Sequence, residues 1–225
     1  MLKSLQKAFK VKEVRDRLLY TFMMLVVIRI GCCLPIPGVN PQYLHQFFEN
    51  LQTSGMGFFN AITGGSFSSM SIFALSITPY ITSSIIMQLL TIAIPKLEEM
   101  QKDGEDGRKK IAEYTRYLTV GLALFESCAM AVGLGGKGLL LEDHQNIWGY
   151  LTVVAAMTAG SALLMWIGER ITDNGVGNGI SIVLLINIVS GTPQDMMTLY
   201  ERFMAGRSVA VATVSGIIVL AIIVA

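Results

Sequence analysis

Apolar residues in this chain come in long runs, and the polar residues between them are bunched rather than alternating. A helix crossing roughly 30 Å of hydrocarbon needs about twenty such residues in succession. Read on that template, the pattern predicts an amphipathic basic segment over 2–16 and a first span over 18–34. A loop over 35–56 follows, with a short helix signal at 41–51. A broken second span comes next: an apolar segment at 57–62, a Gly64-Gly65 hinge, and a main helix over 72–94. A charged loop over 95–115 leads to spans at about 116–134, 148–168 and 179–191. A sixth run begins near Val209, and the sequence stops inside it at Ala225, so the expectation is a piece of a longer protein. The predicted class is an all-α, polytopic transmembrane helical bundle.

The second run is the odd one. Its first half carries Ser66, Ser68, Ser69, Ser71, Ser76, Thr78, Thr82, Ser83 and Ser84, with Pro79 near the middle. Hydroxyls and small side chains suit a face against other helices or a wet cavity better than one against acyl chains. Proline cannot donate to the carbonyl four residues back, so a continuous helix would leave Leu75 needing protein or water. The segment is therefore expected to line something. Span five is short and span two is interrupted, a pattern that points to a central pathway between repeats.

Composition adds orientation. The 225 residues are 52% hydrophobic and 15% charged, with a net charge of +1 that says nothing of nucleic acid. The positive charges are unevenly placed. Segments 1–17, 95–116 and 169–178 hold thirteen Lys and Arg, against Lys137, Arg202 and Arg207 in the segments on the other side. By the positive-inside rule the amino end is cytoplasmic. The first run is read as a retained span rather than a secretory signal, because it exceeds 7–15 residues, is interrupted by Arg29, and has no small-x-small cleavage site before Pro35. Cys32, Cys33 and Cys128 have neither metal-site nor disulfide-framework spacing and read as apolar fillers.

Chemistry-bearing candidates are few. Gly175, Gly177 and Gly179 form G-x-G-x-G, but no strand precedes them and the phosphate-binding lysine is missing. They read as the turn into span five, with Asn178 at the helix start. Gly64-Gly65 is either a plain tight turn or a hinge, and the apolar FFNAI before it favours the hinge. Arg29 lies close enough to the end of span one to snorkel. Glu126 falls mid-span, where a carboxylate is costly; it is expected to be protonated or hydrogen-bonded to a neighbouring helix. His45 and His144 both lie in outside loops without ligand spacing, so neither a catalytic set nor a metal site is expected.

Four stretches resemble the SecY family of the bacterial Sec translocase: RIGCCLPIPGV (29–39), FFNAITGGSFSSMSIFALSITPYITSSIIMQLL (58–90), DGEDGRKKIAEYTRY (103–117) and GERITDNGVGNGISI (168–182). Their order and spacing match the amino-terminal half of that family, one five-span half of an inverted-repeat channel plus the start of a sixth span. The resemblance implies a transmembrane half-channel over 18–191, an external hinge loop over 192–208 and a sixth span from 209. It implies a plug over 57–70 that includes Phe58, Phe59, Asn60, Ile62, Gly64 and Gly65. It also implies an aliphatic pore ring from Ile77, Ile81, Ile180 and Leu184, and a lateral gate touching Thr82 and Gln88. The family reading brings SecE and SecG subunits, the SecA motor ATPase, the ribosome, signal sequences, unfolded precursors and membrane lipid as partners. It implies no cofactor, no enzymatic activity and no recognition of nucleic-acid sequence, in the bacterial inner membrane. Glutamine is usual in the family where Glu126 stands, which makes that residue a departure.

The residues themselves leave blander readings open. Ile77 and Ile81 are four apart, as are Ile180 and Leu184, and such pairs share a helix face. By spacing alone these are ordinary packing residues; only the resemblance makes them a ring. An aliphatic constriction would exclude water and ions by dewetting and yield to a passing chain. The 95–117 loop, with six basic and six acidic residues, reads as a solvated connection. Gln88 fits a polar patch at the gate or simple interhelical hydrogen bonding. A secondary transporter would want a midplane acid with a partner, and Glu126 has none evident. An intramembrane hydrolase would want paired acids or a Ser-His set, which the spans lack.

Overall fold

The computed structural model describes residues 11–40, Tyr43, 63–135, 140–141 and 146–204. Among these, the helices in chain order are α1 (Lys12–Cys33), α2 (Thr78–Ala93), α3 (Pro95–Lys102), α4 (Glu105–Gly135), α5 (Ile147–Asn174) and α6 (Gly179–Met204). Most of the basic amino-terminal segment, the 41–51 helix signal (apart from Tyr43), Phe58, Phe59, Asn60 and Ile62 of the expected plug, and the sixth run from Val209 lie outside the described residues.

By length and composition, α5 alone is long and apolar enough to cross a membrane among the described residues, with a mean hydropathy of 1.7 over its best stretch. The pair α2 and α3 meets the test only if counted as one broken span, bent by 102°. The bend is local chemistry. Pro95 opens α3, and Ile94 before it is extended at φ −112° and ψ 111°, as steric pressure from the proline ring requires. Any eighteen-residue stretch of α1 carries at least three charged side chains, and the apolar part of α6 is the short run Gly179–Thr192.

Helix α6 runs on to Met204, so most of the segment expected as an external loop over 192–208 is helical, and two further element boundaries differ from expectation. Helix α2 starts at Thr78 rather than residue 72, with Pro79 in its first turn. A missing N–H costs nothing there, because the first N–H groups of a helix have no intrahelical acceptor. Pro79 thus begins the helix and does not kink it. The 95–115 segment, expected as a loop, is mostly helix: α3, a turn with Gly104 at φ 82°, then the first turns of α4. A Glu98–Lys102 pair at 2.6 Å, four residues apart, supports α3.

Helix α5 is the hub, packing on α4, α6, α1 and α2. Residues 63–77 form a strap of turns threaded between these helices. Its middle is bonded to the chain after α1: the Ile36 N–H donates to the Met70 carbonyl at 3.0 Å, and the Ile72 N–H to the Leu34 carbonyl at 3.0 Å. Glycines let it approach. A side chain at Gly31 would run into the Phe73 ring, and one at Gly160 into the Ile72 carbonyl. Small residues at such crossings are what a helical bundle in lipid uses in place of a hydrophobic driving force. Phe67, Met70, Ala74 and Leu75 of the strap join one core with Ala123 and Ala131 of α4 and Val153 and Met157 of α5.

Candidate functional site

The opposite side of the strap builds a second apolar cluster. Phe73 and Ile77 lie buried with Ile28 and Cys32 of α1, Leu164, Ile167 and Ile171 of α5, and Val183 of α6. Ile81, Ile180 and Leu184 are partly buried against it. The four residues assigned to a ring therefore meet in one cluster. Gly168 of α5 is where two of them come together: a Cβ there would sit 3.3 Å from Ile180 Cγ1 and 3.5 Å from Ile77 Cδ1. Ile77 is fully buried and is the residue from which α2 departs; its carbonyl accepts the Ile81 N–H at 3.1 Å, which puts both on the first turn. None of the four offers an ion a donor or acceptor from its side chain.

The G-x-G-x-G turn fixes how α6 enters this cluster. Asn178 caps the helix as expected, its Oδ1 accepting the Ile180 N–H at 3.1 Å. Gly177 has φ 71°, and a side chain at Gly179 would run into the Gly168 carbonyl. Two threonines missed in the sequence complete the turn. Thr172 Oγ1 accepts the Gly179 N–H at 2.9 Å, and Thr21 Oγ1, from α1, accepts the Val176 N–H at 3.1 Å. Both hydroxyls also donate to the carbonyl four residues back, a common use of threonine in helices, so neither stands out in the sequence.

The hydroxyls of the second run behave differently from expectation. Ser71 donates to the Ser66 carbonyl at 3.3 Å, Thr82 to Thr78 at 3.1 Å and Ser83 to Pro79 at 2.7 Å. These side chains satisfy nearby backbone acceptors instead of facing open water. Ser76 differs: its Oγ accepts from Asn187 Nδ2 of α6 at 3.0 Å, in a buried contact between elements far apart in sequence. Gly64, with φ +63°, sits against α6 so closely that a Cβ would lie 2.6 Å from the Asn187 carbonyl and 2.8 Å from Ser190 Oγ. Arg29 Nη1 is 3.1 Å from the same position and is buried without a hydrogen-bond partner among the described residues. Gly65, at φ 81°, has open space around it.

Thr82 is half-buried and Gln88 is exposed. Six residues apart, they lie about 120° apart around α2 and do not share a face. Gln88 shares the exposed face of α2 with an apolar stripe of Ile85, Leu89 and Ile92. Glu126 is half-buried on α4, and of the two expected alternatives the bond to a neighbouring helix is not formed among the described residues. Its neighbour Ser127 does cross to α5, 2.9 Å from Thr158 Oγ1. At the α5–α6 turn end, Arg116 Nε donates to Glu169 Oε1 at 2.8 Å, tying α4 to α5, and Arg170 lies over the Trp166 ring at 5.6 Å. Among the described residues no group of His, Cys, Asp or Glu is placed to hold a metal.

This arrangement, helices around an aliphatic cluster with a strap between them, has known relatives. The family model described as SecY matches residues 71–225, more than half of the chain. The chain belongs to the SecY family. SecY relatives described as protein translocase subunit SecY include that of Pseudomonas aeruginosa, 43% identical over 194 residues, covering 86% of this chain and 43% of the relative. That of Escherichia coli K12 is 43% identical over 198 residues, covering 86% and 44%, and that of Aquifex aeolicus 37% identical over 211 residues, covering 92% and 49%. The chain thus spans about half the length of the SecY relatives it matches. Two solved structures share the fold with a TM-score of 0.55 at 19% identity, each covering 85% of this chain and 42% of the other: Sec61 in a canine ribosome-channel complex from the endoplasmic reticulum, and a protein-conducting channel.

Proposed function

We propose that this chain is the amino-terminal half-channel of the central subunit of a membrane protein translocase. Unfolded secretory proteins pass it to cross the cytoplasmic membrane, and membrane helices leave it sideways into lipid. The observation that carries this reading is the convergence of Ile77, Ile81, Ile180 and Leu184, from two separate elements, on one aliphatic cluster. Completed by an equivalent half, such a cluster becomes a waist that seals against ions and yields to a polypeptide. The apolar stripe of Ile85, Leu89 and Ile92 on α2 is the surface the reading offers to that second half or to lipid at a lateral gate. Segment 57–70 acts as a plug, with Gly64 at its root. The thirteen-to-three bias of basic residues supports a cytoplasmic amino end. SecE and SecG are the expected companion subunits. SecA or a ribosome supplies the driving force, and signal sequences are the entry ticket; the chain acts as a conduit, not an enzyme.

The test is site-specific photocrosslinking. A photoreactive residue replaces Ile81 in the complete, assembled translocase, and a secretory precursor is stalled in transit. The precursor is expected to label at 81 and not at Ile92, which is 79% exposed on the outward stripe. Labelling at 92 but never at 81 would overturn the waist.

A further inference from the structure

An asparagine inside the apolar run of α6 needs a reason. Asn187 is 1% exposed, and a buried amide is costly unless its hydrogen bonds are made. Its Nδ2 donates to Ser76 Oγ, and its Oδ1 lies 4.0 Å from Cys32 Sγ of α1. Its backbone carbonyl is the atom against which Gly64 is seated. One residue of α6 therefore touches both ends of the 63–77 strap.

The end held by the side chain is the strained one. Ser76 has φ +53°, a left-handed conformation uncommon for a residue with a Cβ and one that persists only where its surroundings over-determine it. It is the residue immediately before Ile77. Whatever holds Ser76 sets the direction in which the chain enters α2, and so sets Ile77 against Ile180 over Gly168.

We propose that Asn187 is a positioning residue: it clamps Ser76 in its left-handed conformation, and through it fixes Ile77 in the aliphatic cluster while its own carbonyl seats Gly64. This rests on the pore reading for its functional consequence but not for its geometry, so the two are tested separately. In the complete, membrane-assembled subunit with Cys32, Cys33 and Cys128 replaced by Ala, cysteines at Ile77 and Ile180 report geometry through their rate of linkage by a short thiol-reactive crosslinker. Ion conductance of the closed channel, measured with Ile77 and Ile180 intact, reports sealing. Asn187→Leu is expected to slow linkage about fivefold, the equilibrium factor of one lost buried hydrogen bond. Asn187→Ser, a milder change, is expected to do the same in part.

The double exchange Ser76→Asn with Asn187→Ser returns an amide and a hydroxyl to the same gap, and asparagine tolerates the left-handed region well. It is expected to restore linkage. A residue that merely fills space would not be rescued by this exchange. Unchanged linkage in Asn187→Leu, or an exchange no better than Asn187→Ser, overturns the proposal. Linkage that falls and is rescued while the channel stays sealed throughout upholds the positioning role and counts against the waist.

Discussion

Replacing Ile77 with alanine separates packing from transfer, because the residue is fully buried and the chain is read as a membrane bundle. In a water-soluble core, Ile→Ala costs about 2–5 kcal/mol. Of this, about 2.4 kcal/mol is transfer of three carbons at about 0.8 kcal/mol each. Between a bundle and lipid the transfer part vanishes, since acyl chains are as apolar as the core, and only lost packing remains. Ile77→Ala should therefore destabilise the bundle by about 1–2 kcal/mol. Ile85→Ala, on the 52%-exposed stripe of α2, should cost below about 0.5 kcal/mol. Equilibrium unfolding of the reconstituted protein in lipid bicelles, followed by the fluorescence of Trp148 and Trp166, measures both. Equal losses at the two positions would refute the placement of Ile77. A loss of 77 well above about 3 kcal/mol would refute the lipid reference state.

Three further outcomes follow from named contacts. Gly160→Leu drives a side chain into the Ile72 carbonyl and should displace the strap, lowering stability by at least about 1–3 kcal/mol in the same unfolding assay. A double-mutant cycle on Arg116 and Glu169 should give a coupling of no more than about 1 kcal/mol, because the arginine side chain is 50% exposed. That coupling should shrink in 1 M salt, where the screening length is about 3 Å. Glu126→Gln should leave precursor translocation into membrane vesicles intact, because the carboxylate has no partner among the described residues; a large loss of transport would show that its charge is used.

Much of the helical layout is legible in the chain because apolar run length and proline positions act locally. The Gly175–Gly179 turn was readable in part for the same reason: Asn178 caps the very next residues and Gly177 takes φ 71°, whereas Gly175 and Gly179 are set by close approach to α5 and to Thr21 of α1. The start of α2 was not. The apolar pattern runs on through 72–77, and nothing in it marks Ser76 as left-handed; that conformation is imposed by Asn187, more than a hundred positions away. The hydroxyls misled for a related reason. A serine-rich stretch reads as a wet face, yet Ser71 and Ser83 return their protons to local carbonyls, which only the backbone path reveals. Spacing paired Ile77 with Ile81 and Ile180 with Leu184, but that the two pairs meet depends on Gly168 letting α6 and the strap close over α5.

The central claim is that these aliphatic side chains close a passage. Ion current through the complete translocase in a planar bilayer, with no precursor present, tests it most directly. Serine at both Ile81 and Leu184 puts hydroxyls where the waist should dewet, and a steady leak is predicted where the unaltered channel is silent. A double variant that assembles normally and remains as tight to ions as the original would contradict the account.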